Sequence, residues 1–178
     1  MEFKVLKKQS NSNDCVLCGL KNKLGFQASF FELENAVVAC QVIAKNEHQS
    51  YPGRVHGGMI SVILDETIGR TIMIDEPNTW GVTGNLSIKF KKPVPIGEQL
   101  ICFGKIMQNT PRGFLGEGFI EDLNGNVLAT GTGTFIKYPI EKIAGHGKTE
   151  DALGWGVVPL ESDPKKINMI NYNFFSKC

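Results

Sequence analysis

His56-Gly57-Gly58-Met59-Ile60-Ser61-Val62-Ile63-Leu64-Asp65-Glu66 is the stretch on which the fold turns. The glycine pair marks an abrupt start. From Met59 to Ile74 only Gly69 interrupts a run free of Gly and Pro, which predicts one helix of about four turns entered from a loop. Met59, Ile60, Val62, Ile63, Leu64, Ile68, Ile72 and Met73 leave few faces polar. Such a helix has to be covered on most sides.

The flanks supply the cover. Gln27 to Leu33 and Ala36 to Ala44 read as two strands joined by a tight turn at Glu34-Asn35. Beyond Pro77 the period becomes two, with Val82, Gly84, Leu86, Ile88 and Phe90 on one side and Thr83, Asn85, Ser87, Lys89 and Lys91 on the polar side. Three more strands are expected at Gln99 to Gln108, Phe114 to Asp122 and Val127 to Tyr138. The last two are joined through Asn124-Gly125, a strong hairpin signal because both central residues must tolerate positive φ. The order β-β-α-β-β-β-β predicts an α+β domain in which a curved, mostly antiparallel sheet of about six strands wraps a long central helix. Residues 1–24 read as an irregular lead-in, 25–139 as the domain and 140–178 as a C-terminal extension docked by Trp155, Tyr172, Phe174 and Phe175.

A chain of 178 residues, 42% hydrophobic, suits one principal domain. Its 19 basic and 18 acidic residues nearly cancel and form no long basic run, so no nucleic-acid partner is expected. The first residues lack a signal-peptide core and no stretch is apolar enough to span a bilayer. No membrane partner and a cytoplasmic location are the resulting expectations. Five cysteines then point to reduced thiols and no structural disulfide.

On the helix, Glu66 has Arg70 four residues on, the favourable order for a surface ion pair. Asp65 is different. Its helical neighbours are Ser61, Val62, Ile68 and Gly69, so its carboxylate needs a partner from outside the helix, or a task. Gly57 and Gly58 leave amides unshielded at the positive end of the helix dipole, where a carbonyl oxygen could be polarised. These two features lie roughly 10 Å apart along the axis. One substrate carbonyl cannot bridge them within one chain, whereas two copies paired antiparallel bring them together, which makes a dimer part of the expected site. On residue types alone the plainer readings stay open: a solvated Asp, a Gly-Gly turn and a capping His56.

The run from His56 to Glu66, followed by Thr83-Gly84-Asn85-Leu86-Ser87-Ile88-Lys89-Phe90 and Pro93-Val94-Pro95-Ile96-Gly97, resembles the PaaI-like hotdog-fold thioesterases, including the thioesterase superfamily member 4 type. The resemblance covers about Asp14 to Lys137 and reaches the lead-in Cys-x-x-Cys-Gly. It implies hydrolysis of an acyl-CoA thioester, without metal or organic cofactor; the expected assembly is a homodimer pairing into a tetramer. Asp65 matches the catalytic carboxylate, as general base for water or as nucleophile, and His56, Gly57 and Gly58 match the carbonyl-binding turn. Thr83 matches a hydroxyl that orients the reacting water. For coenzyme A the expected contacts are Arg112, Lys91, Lys89 and Asn85, with Lys92 a further cation near the cleft mouth.

Two other signals are weaker. Cys15-x-x-Cys18 has zinc-ligand spacing, but His48, His56 and His146 stand alone and supply no second pair, and no strand-helix context supports a redox dithiol. A packed turn is the expectation. Phe30, Phe31, Phe90, Phe119 and Phe135 most simply fill the core or an interface. A non-catalytic acyl-CoA binding or sensing module, and a hotdog dehydratase or hydratase, remain the alternative functions.

Overall fold

In the computed structural model, which describes residues 1–144 and 154–176, the glycine pair opens helix α1 (Gly57–Gly69). His56 is extended (φ −64°, ψ 138°) and its Nδ1 accepts the Gly58 N–H at 2.9 Å, an N-cap that stops the loop and starts the helix. The helix is shorter than the sequence suggests: past Gly69 the chain tightens into a 3-10 turn, Arg70–Ile74. Thr71 Oγ1 bonds back to the Ile68 carbonyl at 2.6 Å, and such back-bonding together with β-branched Thr71, Ile72 and Ile74 favours the tighter turn.

Among the described residues eight strands form one antiparallel sheet, not about six. In chain order they are β1 (Glu2–Lys8), β2 (Ser29–Leu33), β3 (Val38–Ile43), β4 (Thr79–Phe90), β5 (Gln99–Asn109), β6 (Gly113–Asp122), β7 (Val127–Pro139) and β8 (Lys166–Asn168). Their order across the sheet is β4-β7-β6-β5-β3-β2-β1-β8. The two unexpected strands form one edge: β1 lies in the lead-in expected to be irregular, and β8, from the extension, pairs with it. β1 was hidden by its charges, since only Phe3 and Val5 pack inward. The opposite edge, β4, is twelve residues long and has one side unpaired among the described residues.

A row of glycines seats the helix on the sheet. Gly104, Gly118 and Gly131 stand opposite one another across β5, β6 and β7. A Cβ at Gly104 would fall 2.9 Å from the Thr67 carbonyl oxygen, and one at Gly118 would fall 2.8 Å from Ile68 Cγ1. Any larger residue would push α1 off the sheet. Ile63, Leu64, Ile68 and Ile72 are thereby fully buried against Phe30, Cys40, Leu100 and Ile120. Each such side chain contributes about 1.5–3 kcal/mol of burial.

The other sheet face carries a second core of Phe31, Leu33, Ala39, Phe103 and Phe119, covered by the extension. Phe174 and Phe175 pack on Phe119 with ring centroids 4.4 and 5.5 Å away, and Trp155 meets Trp80 edge-on at 5.3 Å. Tyr172 remains exposed. Phe30, Phe31, Phe119 and Phe135 are buried as expected of core aromatics, while Phe90 is 56% exposed on the free edge strand. His146 and Cys178 lie outside the described residues.

Candidate active site

Asp65 finds its outside partner in β4. Thr83 Oγ1 donates to Asp65 Oδ1 at 2.7 Å. This contact depends on a bulge: Thr83 stands opposite Phe135 and Asn85 opposite Thr134, so Gly84 is an extra residue in the strand. Cross-strand partners share a face. Thr83 therefore lies with buried Phe135 on the helix side, and Asn85 with exposed Thr134 on the other. The strict alternation that grouped Thr83 with Asn85, Ser87 and Lys89 is corrected accordingly, because one inserted residue reverses the phase. Asn85 and Lys89 face away from Asp65.

Burial raises the Asp65 carboxyl above the ordinary carboxylate range, and the negative charge of Glu66 adds to this, while the Thr83 hydrogen bond opposes it. Among the described residues no cation pairs with this carboxylate: what faces it is a hydroxyl. A half-buried, hydrogen-bonded carboxylate of raised basicity can accept a proton from water or attack an electrophilic carbon directly.

Asp65 and Thr83 line a cleft of about 320 Å³, together with Met73, Trp80, Val82 and Trp155. Its wall is mostly apolar, and the buried Trp80 Nε1 has no hydrogen-bond partner among the described residues. The wall opposite β4 is the lead-in, through Cys15 and Cys18, and the helix residues Glu66 and Arg70.

Glu66 and Arg70 do form an ion pair, with Nη2 2.8 Å from Oε1, but it is not a surface pair. Arg70 is 5% exposed, its guanidinium lies over the rings of Phe30 and Trp155 (4.1 and 4.9 Å), and it donates to the Ser10 carbonyl. Cys15 Sγ donates to Glu66 Oε2 at 3.2 Å. The Cys18 thiol's hydrogen bond to Cys15, helped by the amides of Cys18 and Leu17, lowers the Cys15 thiol to about 7 against the opposing effects of burial and Glu66. The same hydrogen bond and burial push Cys18 up. Cys15, Cys18, Cys40 and Cys102 are free thiols. The lead-in turn is thus part of the cleft wall as well as a packed turn.

The helix N-terminus lies elsewhere. Gly57 lines a separate groove with Arg54, Phe90, Lys91 and Lys92. The Gly58 amide is taken by His56, while among the described residues no hydrogen bond engages the Gly57 amide. The unengaged amide at this terminus is Gly57's. His56 acts here as a cap, and His48 is a buried structural residue, stacked on Phe26 at 3.7 Å and bonded to the Lys45 amide and the Leu24 carbonyl. Arg112 occupies the β5–β6 turn, where its carbonyl accepts the Lys137 N–H. That turn lies by the Val82 end of β4, since Gly113 and Val82 both stand opposite Ile136. Lys91 and Lys92 follow the other end, so the expected coenzyme contacts divide between the two ends of one strand. Arg54 was missed because a lone loop arginine has no pattern to mark it.

Residues 52–128 match the model of the thioesterase superfamily. Acyl-coenzyme A thioesterase THEM4 of Mus musculus is 35% identical over 95 residues, 53% of this chain and 40% of that protein. Among solved structures, zebra fish thioesterase superfamily member 2 superposes with a TM-score of 0.53 at 23% identity, covering 56% of this chain and 73% of the other. A hypothetical thioesterase protein from Streptococcus pneumoniae, solved with coenzyme A, gives 0.54 at 20% identity, over 58% and 82%. The chain spans about half the length of the first curated relatives it matches. Residues 52–128 thus match the thioesterase superfamily by sequence, and the fold around them is that of the solved hotdog thioesterases.

Proposed function

We propose that this protein hydrolyses acyl-CoA thioesters at a site shared between two copies. The observation that carries the reading is the Asp65 carboxylate, half-buried in an apolar cleft with a hydroxyl and, among the described residues, no cation as its partner. As general base, Asp65 takes a proton from water held by Thr83, and the resulting hydroxide attacks the thioester carbon. The oxyanion is received by the free Gly57 amide at the positive end of a partner's helix. Collapse of the intermediate expels the coenzyme A sulfur, which takes up the proton, and frees the acid. Asp65 as nucleophile, through a mixed anhydride that water then opens, uses the same geometry. Similarity to acyl-CoA thioesterases and to a neighbour solved with coenzyme A supports the substrate class.

Two features support the sharing. Asp65 and Gly57 are two helical turns apart and face different grooves. β4 offers an unpaired edge on which Val82 and Phe90 are exposed, and a long bare edge favours pairing with another strand. Antiparallel β4 pairing would also bring Arg112 of one copy toward Lys91 and Lys92 of the other.

The test is thiol release from a panel of acyl-CoAs of graded chain length. Saturable turnover, with one thiol and one acid formed per substrate, is the expected result. Tight acyl-CoA binding without thiol release would instead mark a binding module, and enoyl product from a 3-hydroxyacyl-CoA a dehydratase.

A further inference from the structure

The lead-in turn and the helix bring together three donor atoms that the hydrolytic reaction does not use. Cys15 Sγ, Cys18 Sγ and a Glu66 carboxylate oxygen lie within 4.8 Å of one another. The turn is shaped around the first sulfur: the N–H groups of Leu17 and Cys18 point at Cys15 Sγ from 3.3 and 3.4 Å. The Gly19 N–H closes the turn on the Cys15 carbonyl at 2.9 Å. Glycine is required there, because a Cβ would fall 2.3 Å from that oxygen. Amides directed at a sulfur favour its thiolate, the form that ligates metals.

Arg70 fixes the third donor. Its Nε and Nη2 hold Glu66 Oε1 at 3.0 and 2.8 Å, which leaves Oε2 turned to Cys15, and Nη2 also reaches Cys18 Sγ at 3.1 Å. A partner outside the ligand set that orients two of its members is the usual support of a metal centre.

We propose that Cys15, Cys18 and Glu66 bind one zinc-class divalent cation on the wall of the cleft. Two thiolates and a carboxylate carry three negative charges, which a dication and the buried Arg70 guanidinium balance. Two sulfur donors select a soft or borderline cation over magnesium or calcium. All three side chains line the cleft, so the fourth tetrahedral position opens into it and takes water or a ligand entering there. The cysteine spacing alone supplied two donors; the third comes from α1, fifty-one residues from Cys15. The cation would tie the lead-in to the helix that carries Asp65 and add its binding energy to their docking.

The test uses the full chain with any histidine tag removed, stripped of metal by chelation under reducing conditions and titrated with cobalt(II). One equivalent should produce the near-ultraviolet thiolate-to-cobalt charge-transfer band and tetrahedral visible absorption, and zinc should displace both. Cys15→Ser and Cys18→Ser should each abolish the band, while Cys178→Ser leaves it intact. Glu66→Gln should weaken zinc binding at least ~10-fold in competition with a chromophoric chelator. Circular dichroism shows whether each variant is folded, and Cys15→Ser, at a partly buried position, tests the site without removing the Arg70 pair. No band in the wild type, a band that survives Cys15→Ser, or unchanged zinc affinity in folded Glu66→Gln overturns the proposal.

Discussion

Asp65 and Glu66 are consecutive carboxylates on one helix, yet they serve opposite walls of the cleft. A step of about 100° turns Asp65 toward β4 and Glu66 toward the lead-in. Asp65 meets the Thr83 hydroxyl. Glu66 meets the guanidinium of Arg70 and the thiol of Cys15. A carboxylate whose partner is a neutral donor keeps its capacity to take a proton or attack carbon, whereas one neutralised by a buried cation organises structure. Which wall a side chain faces, more than its residue type, assigns its role.

The contrast breaks most sharply if the two acids are exchanged in importance. Asp65→Asn should lower kcat by about 1,000-fold with little change in melting temperature, while Glu66→Gln should keep kcat within about tenfold of wild type and melt lower. Steady-state thiol release and calorimetry on the two variants side by side check both halves. Arg70→Ala leaves Glu66 charged and unpaired in a half-buried place and removes the sandwich with Phe30 and Trp155. It should cost about 3–5 kcal/mol in denaturant unfolding.

Thr83→Val, which keeps shape and deletes the hydroxyl, should lower kcat by roughly tenfold and leave stability within about 0.5 kcal/mol. Equal activity in this variant would detach the threonine from the reaction. The smallest effect belongs to the far side of the sheet: Phe174→Ala removes a partly buried ring from Phe119 and should cost about 1 kcal/mol without altering kcat.

The sequence disclosed the helix well because the His-Gly-Gly start and the apolar run act locally. It also pointed to Asp65, since the residues at helical spacing around it offered no cation. What it concealed depends on contacts between distant segments. The spacing of Glu66 and Arg70 is the same for an exposed pair as for a buried one; only Phe30 and Trp155, from elsewhere in the chain, decide the difference. The Gly84 bulge is visible only in the register with β7, so Thr83 was placed on the wrong side of its strand even as the resemblance assigned it a role. The glycine row under α1 is spread over three strands, and β8 is too short, at three residues, to show a period.

The central claim is that a site is completed by two copies, and one heterodimer tests it directly. Gly57→Pro deletes the free amide at a position where proline suits the first helical turn, and His56 already has the extended backbone that proline requires before it. Asp65→Asn and Gly57→Pro homodimers should both be nearly inactive. A heterodimer of the two, purified through different tags, holds one intact site out of two and should recover about half of wild-type turnover. A heterodimer as inactive as its parents would contradict the account.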